Sequence, residues 1–441
     1  MRITSEWRVY ALGAILLAAL TICSRYFGDR GGPYFMIPLT VAGLVYLLAV
    51  RAFFATPEFP GRVVVIGLVL AAVWHAAFLR LPPGTDDDVH RYVWDGRLQR
   101  LGYNPYLVIP SNPAVQGLHT RETRSLNNPD LPSPYPAGAQ LFFRLVTAIH
   151  ESVFAFKVAF GVCDLLIVFL LFDILGRSGK GAHLVLAYAW NPLLAIEVAG
   201  SGHIDLLGAL LLVASAAALA RNWRAIAALS FALAVAVKFL PIVLLPLYWK
   251  RVGSRDAILA AALIALLNVP FLSHSGIPIG SLGTYVTGFR FNGPVFAILY
   301  QVAPPQLLAA LAVVVGLMTA TWLRSATPDW SPDAFAWPMT AALFCAPVVF
   351  PWYLLWLLPF LMSPSTLVIM VWTVSIIATY VQWHLRAIGG SWGSLPAWVM
   401  VMEYGCVAIA AAIIAFRRIR HSPALSVQRS GTGDPFKPGV T

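Results

Sequence analysis

Apolar positions along this chain come in long unbroken runs, not in the one-sided stripes of surface helices or the strict alternation of half-buried strands. The runs fall at residues 9–27, 34–53, 61–79, 153–175, 183–199, 203–220, 257–273, 304–323, 335–350, 365–384 and 396–417. A helix needs about 20 such residues to cross a hydrocarbon core of about 30 Å. Hydrocarbon tolerates only backbone that satisfies its own hydrogen bonds, so each run predicts a helix. Ten-residue segments of alternating polarity are absent, which excludes an outer-membrane barrel. Two stretches break the pattern. Residues 225–249 carry Lys238 and Pro241 in mid-run, with basic residues on both flanks. This predicts a re-entrant pair of half-helices broken at Pro241. Residues 351–362 are too short to cross as an α-helix and are expected to start on the outer side and dip back. The expectation is an all-α integral membrane protein of roughly 11–13 transmembrane helices.

Composition agrees. The chain is 59% apolar and only 11% charged, against about 25% charged in soluble proteins. The net charge of +11 does not signal nucleic acid, because the basic residues stand singly at helix ends, where they anchor and snorkel. If 225–249 is a re-entrant pair, Arg2, Arg8, Arg51, Arg62, Arg177, Lys180, Arg221, Arg224, Lys250, Arg251, Arg255, Arg324, Arg417, Arg418 and Arg420 can all be placed on the cytoplasmic side, in line with the Lys/Arg bias. The long polar loop at 81–151 then lies outside. Residues 1–420 form one polytopic domain, and 421–441 read as a disordered cytoplasmic tail. The first run lacks a small-x-small cleavage site and is expected to stay as a helix. Cys23, Cys163, Cys345 and Cys406 all fall in apolar runs and are expected to be buried free thiols. No internal repeat is evident, which counts against a transporter.

The loop carries the candidate chemistry. Gly84-Thr-Asp-Asp-Asp-Val-His-Arg-Tyr-Val-Trp-Asp-Gly-Arg97 places Asp86, Asp87 and Asp88 just past a membrane helix. Adjacent carboxylates repel, and one of them gains proton affinity. Such a group suits a general base acting on an alcohol. Arg91 and Arg97 could hold a phosphate. The plainer alternative is a solvated acidic loop with arginines on lipid headgroups. A third is a magnesium or manganese site on Asp86 and Asp88, since hard cations take carboxylate oxygens. Further on, Gly102, Asn104, Pro105 and Tyr106 spell a turn. The run after Ser133-Pro-Tyr-Pro-Ala-Gly-Ala-Gln140 reads as a helix lying in the interface, to about His150.

Several blocks resemble one family. Asp87-Asp-Val-His-Arg-Tyr-Val-Trp-Asp-Gly-Arg-Leu-Gln99 with Asn104-Pro-Tyr106 is similar to the first periplasmic loop of bacterial GT-C glycosyltransferases. Within these it resembles the polyprenol-phosphate-mannose-dependent mannosyltransferases and glycosyltransferase family 87. Tyr135-Pro-Ala-Gly-Ala-Gln140, Ala189-Trp-Asn-Pro-Leu193, Gly200-Ser-Gly-His-Ile-Asp205 and Val237-Lys-Phe-Leu-Pro241 look like the same group. Phe350-Pro-Trp-Tyr-Leu-Leu-Trp-Leu-Leu-Pro359 is also similar to a motif of the eukaryotic GPI mannosyltransferase I catalytic subunit. The blocks cover roughly residues 80–360, in order.

The resemblance implies a GT-C-type bundle and an inverting transferase on the outer face of the bacterial cytoplasmic membrane. The donor would be a sugar, foremost mannose, on a polyprenyl phosphate. The acceptor would be a lipid or glycan, and no nucleic acid takes part. Asp88 is the first choice of base and Asp87 the second, with Asp86 an extra acid. Arg91, His203, Lys238, His274 and Arg290 are the candidates for the donor phosphate. His90, Tyr92, Trp94, Asp95, Asn104, Tyr135, Gln140, Asp205, Trp352 and Tyr353 are those for sugar and acceptor. The family usually has an aromatic residue where His90 stands. The leaving group is a phosphate and needs no general acid, only positive charge. No cofactor is required, although a divalent metal on Asp86 and Asp88 is compatible.

Each candidate also has a plainer role. His203 and Asp205 could simply begin a helix at its favourable end. Lys238 could snorkel or pair with a buried acid such as Glu197. Residues 274–294, with His274, Tyr285, Arg290 and Asn292, form a glycine-rich connection or a mobile lid. Trp352, Tyr353 and Trp356 could stack on sugars or belong to the interfacial aromatic belt. Asp164 and Glu403 are expected to make internal polar contacts. A transporter or flippase of a lipid-linked or polar solute is the alternative class. It would need the mid-membrane ionisable groups and not the Asp86–Asp88 cluster.

Overall fold

The structure, a computed structural model, describes residues 2–84, 87–272, 278, 280–326, 331, 333–390 and 395–421, with side chains between 6 and 417. Asp86, His274 and the chain beyond 421 fall outside the described residues, so the expectations made for them stand where they were. Among the described residues the protein is all-helical, with only isolated bridges of Phe291 and Asn292 to Val348. Among the described residues eight helices are long and apolar enough to cross a membrane, or nine if one bent pair is a single span. The protein is a multi-pass membrane protein.

Helices α1 (Arg2–Arg25), α2 (Pro33–Ala55) and α3 (Gly61–Leu79) open the bundle. The loop that follows contains α4 (Val89–Arg100) and α5 (Ala137–Ile149), and α6 (Val153–Arg177) returns to the bundle. Two sets of contacts define its ends. Arg30, between α1 and α2, bonds both Asp87 of the loop and Ser201, far along the chain. At the opposite end Arg62 pairs with Glu6, and Arg221 forks onto Asp173. The first is called the loop end, the second the basic end.

The run expected as one helix at 183–199 is broken. Ala182–Ala189, which includes α7 (Val185–Ala189), and Leu194–Gly200 meet at 66°. Pro192 stands in the break and has no N–H to give to the preceding turn. Asn191 fastens the bend, with its Oδ1 accepting from Leu193 N and its Nδ2 donating to Thr373. The second limb is wound as a π-helix.

Helices α8 (Asp205–Ala220) and α9 (Arg224–Val237) follow, and a nine-residue 3₁₀ helix, Leu240–Tyr248, returns from the tip of α9. Ser215 of α8 bonds both Ala227 O and Tyr248 OH, so the two arms lie side by side and share the basic end. The expected re-entrant pair is present, but its break is at Lys238 and Phe239, between α9 and the 3₁₀ arm, and not at Pro241. Pro241 instead occupies the first turn of the return arm, where a missing N–H costs nothing.

The remaining helices are α10 (Ser254–Asn268), α11 (Leu282–Gly288), α12 (Pro294–Leu299), α13 (Pro305–Ala326), α14 (Asp333–Cys345), α15 (Leu367–Ser375), α16 (Val381–Ala387) and α17 (Ala397–His421). Residues 351–362 correct the expectation made for them. They do not turn back. They run as 3₁₀ segments Pro351–Trp356 and Leu358–Phe360 from the loop end to Ser363, which bonds Asp333 at the start of α14. A 3₁₀ helix rises about 2.0 Å per residue against about 1.5 Å for an α-helix, so a run too short to cross as α spans far more as 3₁₀. The four cysteines are free, but only Cys23 and Cys163 are buried, and Cys406 faces outward.

The loop is a folded cap. α4 packs on α5 through Gly96, where a Cβ would sit 2.4 Å from Phe143 O. α5 has the expected amphipathic form, with Gln140, Phe143 and Thr147 buried and Leu145 and Ile149 exposed. Arg97 and Arg100 both grip Glu151, and Lys157 donates to the carbonyls of Phe78, Leu79 and Leu81 at the end of α3.

Candidate active site

The two aspartates at the entrance to α4 have different fates. Asp87 is buried and accepts from Arg30 Nη2 through both oxygens, each at 3.0 Å, and from Gly84 N at 2.6 Å. Gly84 is needed there, because a Cβ would lie 1.9 Å from the Arg30 guanidinium. A carboxylate so engaged has little capacity left for a substrate. Asp88 is 18% exposed. Its Oδ1 accepts from Asn127 Nδ2 at 2.6 Å. Its Oδ2 has no hydrogen-bond donor among the described residues, and His203 Nδ1 stands 3.8 Å away.

Phenols gather around Asp88. Burial first and the Asp88 charge second push the hydroxyls of Tyr92, Tyr135 and Tyr285 up from their ordinary value. These three therefore remain neutral hydrogen-bonding groups, and the Tyr353 ring lies close by, under the Lys238 ammonium. Tyr285 reaches the site from α11, where its hydroxyl accepts from Asn128 at 3.1 Å and Ser281 bonds Pro132 O.

His203 lies in the turn between the bent span and α8. Its ring stacks on Trp352 at 4.1 Å, and Phe350 stacks on the far side of Trp352 at 4.4 Å. Its Nε2 is 3.0 Å from Glu197 Oε2, close enough for charge pairing though off the line of a straight hydrogen bond. The other Glu197 oxygen accepts from Tyr380 OH. Burial pulls the imidazole down, but Glu197, Asp88 and Asp87 outweigh it and hold His203 above its usual value.

Lys238 reaches the same region from the tip of the re-entrant hairpin. It pairs with Asp205 at 2.7 Å, so its acid is Asp205 and not Glu197. The same oxygen accepts from Trp356 Nε1 at 2.7 Å, and the Lys238 ammonium lies 4.1 Å from the centre of the Tyr353 ring. Asp205 is the first residue of α8, and its Oδ1 reaches across to Lys238 and Trp356 on other elements.

Of the residues singled out from sequence, Asp87, Asp88, His203, Lys238, Asp205, Tyr92, Tyr135, Trp352 and Tyr353 come together here. Others are placed as braces. His90 bridges Glu122 O and Gly84 O. Arg91 donates to the carbonyls of Leu131, Asn127 and Asn128. Trp94 stacks on His119, and Asn104 ties its own turn to Phe271 O. Asp95 accepts from Ser133 and Gln140, deep between α4 and α5. Burial raises its carboxyl to about 6, against the opposing pull of Arg91, Ser133 and Gln140. Arg290 lies over Tyr300, at 3.3 Å. Trp356 is buried and spent on Asp205. Asp164 and Glu403 have internal partners: Tyr188 and His75 for the first, Trp372 and Asn292 for the second.

Sequence reasoning missed Arg30, Asn127, Ser201 and Tyr380. A single arginine in a short turn looks like a lipid anchor, and Tyr380 lies in an apolar run. Among the described residues no group of three or more His, Cys, Asp or Glu is placed to hold a metal ion.

A search of curated protein sequences found no match. Among solved structures, ArnT from Cupriavidus metallidurans bound to undecaprenyl phosphate is similar at 14% identity, over 82% of this chain and 73% of that chain, with a TM-score of 0.46. The profile of the alpha-(1->6)-mannopyranosyltransferase N-terminal domain matches residues 13–252. That match spans more than half of the chain and includes the loop with Asp87 and Asp88, the bent span, His203 and Lys238. The chain belongs to the alpha-(1->6)-mannopyranosyltransferase family of membrane glycosyltransferases.

Proposed function

We propose that this protein is an inverting GT-C-type glycosyltransferase. It moves mannose from a polyprenyl phosphate to a glycan or glycolipid hydroxyl on the outer face of the cytoplasmic membrane. Asp88 is the base. The observation that carries this reading is the contrast between the two aspartates: Asp87 is closed by Arg30, while Asp88 Oδ2 stands open among phenols and beside His203. The acceptor oxygen attacks the anomeric carbon, its proton passes to Asp88, and the bond from that carbon to the phosphate oxygen breaks. Inversion with an α-linked product requires a β-linked donor. The phosphate leaves with added negative charge, which His203 and Lys238 are placed to meet. Tyr92, Tyr135, Tyr353 and Trp352 border the sugar, and the polyprenyl tail lies among the apolar helices.

The Lys/Arg distribution supports the orientation, since the basic end carries the residues that the positive-inside bias places in the cytoplasm. The reaction needs no cofactor. The purified protein is to be given radiolabelled polyprenyl-phosphate mannose, with glucose, galactose and arabinose donors in parallel, each with and without chelator. Transfer of mannose as an α-linked product is expected. A rate lost in chelator and restored by magnesium would put a metal at Asp88. No transfer from any donor by folded protein would reject the enzyme reading and favour transport.

A further inference from the structure

Four carboxylates, Asp87, Asp88, Glu197 and Asp205, meet four cations, Arg30, Lys157, His203 and Lys238, at the loop end of the bundle, and Lys157 is turned onto the carbonyls of Phe78, Leu79 and Leu81. Asp87 is matched by Arg30, and Asp205 by Lys238. Glu197 is fully buried, and its matching cation is His203. A buried carboxylate is costly without such a partner. Among the described residues Asp88 has no cation within hydrogen-bond distance, His203 standing 3.8 Å off. The backbone is shaped for the Glu197–His203 pair. Glu197 sits on the π-helical turn Leu194–Gly200, a rare winding that recurs at functional sites. Gly202 then adopts φ +77°, which bends the chain so that His203 N donates to Glu197 O at 3.0 Å. The imidazole is locked between this bond, Trp352 and Glu197. Its Nδ1 is buried, has no hydrogen-bond partner among the described residues, and stands 3.8 Å from Asp88 Oδ2. That distance is too long for a hydrogen bond.

We propose that Glu197, held by Tyr380, is a positioning residue that fixes His203 as an imidazolium, whose Nδ1–H takes a phosphate oxygen of the donor as Asp88 takes the acceptor proton. Before the reaction the imidazolium faces a charged Asp88. When Asp88 is protonated that charge disappears, and the leaving phosphate gains one. The Nδ1–H contact to phosphate is therefore stronger in the transition state than in the ground state, as rate acceleration requires. Burial opposes the charged imidazole, while Glu197, Asp88 and Asp87 favour it. The charged and titratable groups around His203 are Glu197 and, through it, Tyr380; Asp88; Asp87 with Arg30; Lys157, whose stem packs beside Gly202 and whose charge acts on Asp87 and Arg30; Tyr92, whose hydroxyl accepts from Ile204 N; and the Asp205–Lys238 pair with Tyr353. This inference rests on the donor reading above and deepens it.

The test compares wild type with Glu197→Gln, Glu197→Asp and His203→Gln. One readout is the imidazole titration of histidine-labelled protein by NMR, with the His203 signal identified by its loss in His203→Gln. The other is the pH profile of mannose transfer. Glu197→Gln is expected to lower the proton affinity of His203 by roughly tenfold or more. The alkaline limb of transfer should move down by the same amount, and Glu197→Asp should largely restore both. A His203 titration unmoved by Glu197→Gln overturns the proposal, as does a limb that stays put while the titration moves. Should Glu197→Gln fail to fold, His203→Gln decides: it must lose the wild-type alkaline limb, and keeping that limb contradicts the proposal. A wild type without transfer removes the donor reading and leaves the imidazole titration to decide the role of Glu197.

Discussion

At the scale of single residues, the site turns on how charge is matched out of water. Removing one partner of a buried ion pair strands the other and costs about 3–5 kcal/mol. Asp87→Asn and Arg30→Gln should therefore each lower stability by roughly that amount, measured as the loss of folded protein in a detergent or denaturant series. Asp88→Asn, with its half-open carboxylate, should leave stability nearly unchanged. Asp95 gives a separate signal. Its folded value of about 6 lies above the ordinary 3.8. Stability from the protonated form is complete below the unfolded value and is lost as pH rises through the folded one. The thermal stability of wild type should thus fall as pH rises from about 4 to 6, and Asp95→Asn should flatten that slope. An unchanged slope in the variant would assign it to another group. The carboxylates themselves were legible in sequence, because acids are rare in so apolar a chain. Their partners were not. Nothing local distinguishes Arg30 from an anchoring arginine, and nothing along the chain links it to Asp87 or Ser201.

At the scale of elements, the site is carried on irregular helices. The bent span brings Glu197 and His203, the tip of the α9 hairpin brings Lys238, and the 3₁₀ return at Pro351–Trp356 brings Trp352 and Tyr353. The hairpin was readable from the basic residues on both of its flanks. The 3₁₀ arms were not, since a run that is apolar on every side carries no phase from which to tell one winding from another. The bend at Pro192 was missed for a related reason: hydrophobicity continues across it. Packing between these elements is close. Gly208 of α8 faces Trp356 so tightly that a Cβ would lie 1.8 Å from the ring. Gly208→Ala should displace Trp356 from Asp205, loosen Lys238 and reduce transfer by more than about tenfold, by analogy with misplacement of a catalytic group. Gly161→Ala on α6, where a Cβ meets nothing within 4 Å, should leave transfer intact. Equal activity in the two variants would refute this coupling.

At the scale of the whole molecule, the two ends of the bundle are chemically distinct. The folded cap with α4 and α5 closes the loop end, and most of the isolated basic residues lie at the other. The class and the extent of the cap were legible from run lengths and from the polar break at 81–151. The internal folding of the cap was not, because its contacts join residues far apart, such as Arg97 with Glu151 and Arg91 with Leu131. Orientation can be read directly. Tyr103 is exposed in the cap, and Ser254 is exposed at the start of α10. With the native cysteines replaced, Tyr103→Cys should react with an impermeant maleimide on intact cells, and Ser254→Cys only after lysis. The reverse pattern would place the site in the cytoplasm.

The most direct test of the central claim is mannosyl transfer by Asp88→Asn beside Asp87→Asn, each normalised to folded protein. The account predicts that Asp88→Asn folds like wild type, still binds polyprenyl phosphate and loses transfer by at least about a hundredfold, the low end of the range for a general base. Asp87→Asn should lose folded protein first, with the surviving fraction retaining transfer. A well-folded Asp88→Asn variant that transfers mannose at the wild-type rate would contradict it.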